Sequence, residues 1–331
     1  MSRLIVVLAL TGLASSGCSD LLVDERSGTG NVSEFEAAWS VVNNVYPYFA
    51  FKQINWDSIH AVYTPLAEKA RGDEIVEVLF NLLAELKDGH VNLKMQRGGV
   101  ISTYQPLRSE KDRQTFDPSV VRKYFDKELK LSADNTLEYE MIPGNVGYIR
   151  LTTFKNGTRL DEIYSALEYL RNTKALIIDV RHNGGGSTNI SDVVVSRFLG
   201  APLNYPPVYI KNQLQPSATL QPGGPFQYDH SVVVLANGVC FSTTEHFVEM
   251  MKQLATVTVI GDTTGGGSGA PEYFRLPSGR RINVPTKDFR RYDGVPYEWN
   301  GVPPDILVLQ TEEDVKQGRD KQLEYAIQLL R

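Results

Sequence analysis

Apolar positions recur at helical spacing in the first part of the chain. From about Val32 to Tyr46 the pattern includes Phe35, Ala38, Trp39 and Val42. From about Asp73 to Leu86, the residues Ile75, Val76, Val78, Leu79, Leu82, Leu83 and Leu86 make one apolar face. Both stretches predict amphipathic helices. The second ends at Lys87-Asp88-Gly89-His90, a turn signal, and the alternation Val91-Asn92-Leu93 predicts a strand after it. Residues from about 95 to 140 are polar and irregular, with one short helix expected near Pro118 to Phe125.

From Gly144 the texture changes. Val146 to Leu151 predicts a strand, about Thr158 to Asn172 an amphipathic helix, and Ala175 to Val180 a continuous apolar strand. A strand with no polar alternation is one covered on both faces. A helix near Asn189 to Leu199, a strand at Ser231 to Leu235, a helix over Thr243 to Leu254 and a strand at Val257 to Gly261 continue the rhythm. Strand-helix repetition of this kind predicts α/β layering. The stretch from 203 to 229, with several Pro, Gly and Gln, reads as a loop or hairpin insertion, and a charged amphipathic helix from about Asp314 to Leu330 closes the chain. The resulting division is a leader at 1–18, a linker at 19–32, a small N-terminal helical domain at 33–94, a connecting segment at 95–143 and a core at 144–331.

Composition adds exclusions. With 331 residues and 42% hydrophobic content the chain can bury a substantial core. A net charge of -5 and the lack of any Lys/Arg run argue against a nucleic-acid partner. At the N-terminus, Arg3 precedes an apolar run from Leu4 to Leu13, and Ala14-Ser15-Ser16-Gly17 leads into Cys18. This is a secretory signal in outline, too short to remain as a membrane span. The small residues before Cys18 resemble the lipobox of bacterial lipoproteins, although Ser15 stands where an apolar residue is usual. The expectation is lipidation at Cys18 and a cell-envelope location, with ordinary secretion as the alternative. Cys240 is the only other cysteine, so the fold must stand without an internal disulfide once Cys18 is modified or removed.

Three places carry candidate chemistry. Arg181-His182-Asn183-Gly184-Gly185-Gly186 follows the buried strand; its glycines allow positive φ and close approach, leaving N–H groups for an anion or oxyanion, or merely a tight turn. No Lys-Ser/Thr pair and no GxGxxG spacing support a nucleotide loop. Ser242 lies at a strand-to-helix junction, where a hydroxyl is exposed at the sheet edge, yet Ser242-x-x-Glu245 is equally a capping box. His90, after its turn, gains meaning only from its company.

Taken together the motifs resemble peptidase family S41, the tail-specific, C-terminal-processing and tricorn-core peptidases. They occur in the family's order: Val146-Gly147-Tyr148-Ile149 to Phe154, Asp179 to Gly186, Asn237-Gly238 to Ser242 and Glu245, Val259 to Gly266, and Glu298 to Asp305. The likeness is close over 144–331 and looser over 33–93. It implies an α/β fold with a ClpP/crotonase-like β-β-α spiral core and a small N-terminal helical domain. It also implies a serine peptidase acting on peptides or proteins, without cofactor or metal. By the resemblance Ser242 is the nucleophile, and the amide of Thr243, together with one from the Gly184-Gly185 stretch, forms the oxyanion hole. The processing branch takes its general base from a lysine in the loop Thr264-Gly265-Gly266-Gly267-Ser268; here that loop has none, and position 267 is where it would stand. The tricorn-like branch uses a histidine before the core, which His90 matches, and a glutamate that Glu298 matches, orienting the imidazole directly or through a hydroxyl. The segment 95–143 is too short for the PDZ domain of processing peptidases, so capture of a substrate by strand addition to such a domain is not expected. A rival reading is a non-catalytic module holding a hydrophobic ligand, as in retinoid-binding repeats of the same fold. His60, His182, His230 and His246 read as structural, Cys240 as a packed thiol, and Asp179 and Asp305 as charges at strand ends.

Overall fold

The computed structural model describes residues 30–331. The leader, Cys18 and the linker up to residue 29 lie outside the described residues. Helix α1 (Asn31–Val45), α2 (Trp56–Lys69) and α3 (Glu74–Ala84) come first, followed by strands β1 (Asn92–Lys94) and β2 (Val100–Ser102). Strands β3 (Lys130–Leu131), β4 (Leu137–Ile142) and β5 (Val146–Leu151) lead to helix α4 (Leu160–Tyr169) and strand β6 (Ala175–Asp179). Helix α5 (Thr188–Val195), strand β7 (Ser231–Ala236), helix α6 (Thr243–Met251) and strand β8 (Val257–Gly261) follow. A hairpin, β9 (Pro271–Arg275) and β10 (Arg281–Pro285), then the short β11 (Ile306–Leu307) and helix α7 (Lys321–Leu329) complete the chain.

The main sheet has seven strands in the order β11-β8-β7-β6-β5-β4-β3. Its centre, from β5 to β11, is parallel, while β3 and β4 pair antiparallel at one side. The continuous apolar strands divide their side chains between two cores because successive residues point to opposite faces. Leu176, Ile178, Val232, Val234 and Val259 face the layer of α4, α5 and α6. Tyr148, Ile177, Val233, Leu235 and Ile260 face α7, packing with Leu323, Ala326 and Ile327. The expected mixed α/β architecture with a helical N-terminal region is what the chain adopts.

The N-terminal helices do not close a core alone. Phe35, Val42, Leu79, Leu83 and Leu86 pack with Leu93 of β1 and with Phe274, Ile282 and Val284 of the β9–β10 hairpin. These strands form a second sheet, ordered β9-β10-β1-β2. A segment some 180 residues downstream of β1, in the stretch assigned by sequence to the core, thus completes the helical unit. The site lies where this second sheet meets the open end of β7. Residues 203–229 form short strand pairs, Leu203–Asn204 with Thr219–Leu220 and Val208–Ile210 with Gln213–Leu214, as an insertion. Among the described residues no helix is long and apolar enough to cross a membrane.

Candidate active site

Strand β7 runs parallel between β6 and β8, and its exit sets the position of Ser242. The turn after it is tied at every residue. The Gly238 N–H donates to Asp112 Oδ2 (2.7 Å), Cys240 N–H to the Asn237 carbonyl (2.9 Å) and Phe241 N–H to the Asn183 carbonyl (3.1 Å). Ser242 is thereby held at φ +57° and ψ -125°, a conformation that costs an L-residue on the order of 1–3 kcal/mol and persists only where its surroundings over-determine it. The capping box read from sequence is present: the Glu245 carboxylate accepts from the Ser242 N–H (3.1 Å), and the Glu245 N–H, which bonds the Ser242 carbonyl (2.9 Å), faces the serine side chain. Ser242 at the same time lines a cleft.

That cleft has a volume of about 970 Å³ and contains Ser242, Thr243, Gly184, Gly186 and His90 along its lining. Among the described residues the Thr243 N–H, in the first turn of α6, has no acceptor, so it presents a donor at the positive end of the helix. The amide of Gly184 is likewise uncommitted, but that of Gly185 donates to Asn183 Oδ1 (2.9 Å). Gly185 therefore leaves the expected set of oxyanion donors. Its role is steric: at φ +95°, a Cβ there would lie 2.7 Å from the Phe241 carbonyl and 2.9 Å from Thr243 N. Only a glycine lets the loop sit this tightly against the elbow.

His90 is buried and stacks on the ring of Phe241, with centroids 4.6 Å apart. Its backbone N–H donates to Asp88 Oδ1 (2.9 Å), which places that oxygen 4.0 Å from Nδ1. Neither ring nitrogen has a protein partner among the described residues, so His90 shares the cleft with Ser242 without a hydrogen bond between them. Catalytic hydrogen bonds are commonly long before substrate binds. Burial lowers the pKa of His90 below the usual 6.5; Asp88 opposes this and Lys52 adds to it. The imidazole is neutral at pH 7 and able to accept a proton.

Glu298 does not reach His90. Its carboxylate, 1% exposed, binds Lys52 Nζ at 2.6 Å and accepts from Ser268 N–H at 3.3 Å. It opens onto a separate cavity of about 310 Å³ with Gly89 and Trp299. The physical reason is that a carboxylate this deep needs a cation, and the buried ammonium of Lys52 is the one at hand. The same ammonium lies 3.6 Å from Asp88 Oδ2 and donates to the carbonyls of Leu86 (2.9 Å) and Lys87 (3.1 Å). Tyr46 donates to Asp88 Oδ2 (2.9 Å). The acid beside His90 is therefore Asp88, and Glu298 is linked to it through Lys52. Burial, followed by the Asp88 charge, pushes the Glu298 carboxyl well above its ordinary range. Sequence reasoning missed Lys52, whose only signal was a lysine closing the aromatic run Tyr46-Pro47-Tyr48-Phe49-Ala50-Phe51.

The glycine-rich loop is bolted to the elbow by Glu245. Its carboxylate accepts from Thr264 Oγ1 (2.6 Å), Gly266 N–H (2.9 Å) and Gly267 N–H (2.7 Å) besides Ser242 N–H. A Cβ at Gly267 would stand 1.8 Å from Phe241 Cζ. The space a side chain at 267 would enter is filled by the ring on which His90 stacks. No lysine base fits this elbow.

Of the residues read as structural, Cys240 donates from Sγ to the Val180 carbonyl (3.0 Å), and burial pushes its thiol up to about 12. His60 meets Glu36 (3.0 Å), His182 the Asp112 carbonyl (3.2 Å) and His230 the Thr173 carbonyl (2.7 Å). Asp179 binds Arg181 at 2.6 Å and Asp305 binds Lys252 at 3.2 Å. His246 differs: it lines the cleft with both ring nitrogens unpaired, which a sequence cannot display.

The family model described as Peptidase family S41 matches residues 145–308, and the Tricorn protease C1 domain model matches residues 33–84. The Tricorn protease of Thermoplasma acidophilum is 27% identical over 202 residues, covering 60% of this chain and 18% of that protein. Tricorn protease homolog 1 of Streptomyces coelicolor is 30% identical over 198 residues, 58% of this chain and 17% of its own. The chain thus spans less than a fifth of the length of these relatives. A crystal structure from Parabacteroides merdae, provisionally described as a peptidase, has 30% identity, covers 92% of this chain and 97% of its own, and superposes with a TM-score of 0.81. With one family model matched over the core and the other over the N-terminal helices, this chain belongs to peptidase family S41.

Proposed function

We propose that the chain is an exported serine peptidase that cleaves peptide bonds through an acyl-enzyme on Ser242, with His90 as general base. The observation that carries this reading is the strained elbow, which sets Ser242 on the wall of the cleft that also holds a neutral histidine and the Thr243 amide, unpaired among the described residues. His90 takes the Ser242 proton as Oγ bonds to the carbonyl carbon, and the oxygen's charge falls on the amides of Thr243 and Gly184. The proton passes to the leaving amine as the C–N bond breaks. Water, deprotonated by His90, then attacks the ester, and the acid product leaves as Ser242 regains its proton.

Asp88 is a positioning residue for His90, and Lys52 and Glu298 support it from behind. The filled space at position 267 favours the histidine base over a lysine one. Hydrolysis of an unstructured protein or a quenched peptide library by the wild type, falling at least about 10³-fold in Ser242→Ala and His90→Ala, is the expected result. Equal turnover by Ser242→Ala would overturn the reading. Export and anchoring rest on the leader and Cys18 alone. Palmitate incorporation that Cys18→Ala abolishes supports them, and an unlipidated protein in the medium returns the weight to ordinary secretion.

A further inference from the structure

His246 lies in the first turn of α6, four residues after Ser242, which caps that helix. Both line the cleft, together with Thr188 of α5, Phe289 and Tyr297. His246 is 7% exposed and Tyr297 2%, yet among the described residues both imidazole nitrogens and the Tyr297 hydroxyl have no partner. Behind the imidazole, Asp192 Oδ1 is also unpaired, 3.9 Å from His246 Nε2, while Tyr205 donates to Asp192 Oδ2 at 2.8 Å. The ring of Tyr205 stacks on that of His246 with centroids 5.6 Å apart, which fixes the imidazole plane. Native interiors leave few buried polar atoms unsatisfied, and here His246 and Tyr297 carry three of them on the cleft that Ser242 lines, with a fourth on Asp192 behind the imidazole.

We propose that His246, backed by Asp192 and joined by Tyr297, forms the subsite for the substrate side chain on the acyl side of the scissile bond, and that it selects side chains bearing N–H donors. The inference rests on the serine-peptidase reading for its placement. The acyl carbonyl is held by the amides of Thr243 and Gly184, between the glycine loop and α6, so the side chain on that residue enters the space between α5 and α6. Burial holds His246 down to about 4, so at neutral pH one ring nitrogen accepts and the other donates. Asp192 Oδ1 backs the ring, 3.9 Å from Nε2. An apolar side chain would leave the accepting ring nitrogen dry and unpaired; an N–H donor satisfies it.

The test compares isosteric pairs in peptidyl-aminomethylcoumarins that differ only at this position: Gln against Met, and Lys against norleucine. Donor side chains are expected to give kcat/KM about 10-fold to 100-fold higher. His246→Leu should bring both ratios near one. Asp192→Asn separates the two donor classes: collapse of the Lys ratio alone assigns a cation subsite, and retention of both assigns a carboxamide subsite. Preference for Met and norleucine, or ratios unmoved in His246→Leu, overturns the inference. Dissociation constants of product peptides ending in the same four residues, measured on Ser242→Ala, give a readout free of turnover. Selective binding without hydrolysis by the wild type would sustain the subsite and sink the peptidase reading; hydrolysis without selectivity would do the reverse.

Discussion

Replacing Lys52 by Met removes the only cation bonded to Glu298 among the described residues while keeping a side chain of similar length. The ammonium is fully buried, 2.6 Å from Glu298 Oε1 and 3.6 Å from Asp88 Oδ2, and two backbone carbonyls lose their donor with it. Breaking a buried pair from one side costs about 3–5 kcal/mol. Glu298, already pushed above its ordinary range, can take a proton instead, which places the expected loss near 3 kcal/mol. For a chain of this size that corresponds to a melting temperature about 6 °C lower, at about 2 °C per kcal/mol. The pH profile moves as well. His90 must be neutral to act, so kcat/KM rises as pH passes upward through its pKa, below 6.5 in the wild type. Lys52 lowers that pKa and Asp88 raises it, so Lys52→Met shifts the rising limb to higher pH. Thermal denaturation at pH 7 and the limb of kcat/KM give the two readouts. Adding Glu298→Gln should recover 1 kcal/mol or more, since the two residues act as a pair. A melt within about 1 °C of wild type, an unmoved limb and additive double-mutant behaviour would refute the account of this cluster.

Three further outcomes follow from the geometry around the elbow. Gly185→Ala forces a Cβ against the Phe241 carbonyl at φ +95°, and kcat/KM should fall about 100-fold or more even where circular dichroism reports a folded chain. Gly267→Ala collides with Phe241 and should cost about 1–3 kcal/mol in denaturant titration, a cost that shrinks in a Phe241→Ala background. Glu245 couples stability to pH: burial pushes its carboxyl from 4.5 up to about 7, so the folded state holds a proton that the unfolded chain releases. Its contribution is full below about pH 4.5 and is lost as pH rises through about 7, at up to about 1.4 kcal/mol per unit. Glu245→Gln should flatten that slope, read as unfolding free energy at pH 5, 6 and 7.

The strands of the main sheet were legible because their apolar runs alternate between two covered faces, and Val257 to Gly261 matches its predicted span. Helix ends were less so: the stretch read as one helix from Asp314 to Leu330 divides into Glu312–Lys316 and Lys321–Leu329, with Gly318 at φ +72° in the break. Helix α2 was not predicted, although Ile59, Val62, Tyr63 and Leu66 repeat at helical spacing. Ser242, Thr243 and Gly184 drew notice as local features of a strand-to-helix junction and a glycine turn, but the cap and the tight turn explained them equally until the order of motifs along the chain assigned their roles. The cluster behind His90 could not be proposed, because its members stand at 52, 88 and 298 and meet only after the chain folds. Glu298 shows the limit of motif order, which places a residue in the site without saying which neighbour its charge must satisfy. His246 shows the converse, since only its unpaired nitrogens separate it from a core histidine.

The central claim, an activated serine at 242, is tested most directly by labelling the purified protein with an active-site serine phosphonate and mapping the adduct by intact mass and peptide analysis. The account predicts one adduct, on Ser242, absent in Ser242→Ala and lost or slowed at least about 100-fold in His90→Ala. A folded wild type that takes no adduct, or one whose labelling is indifferent to His90, would contradict it.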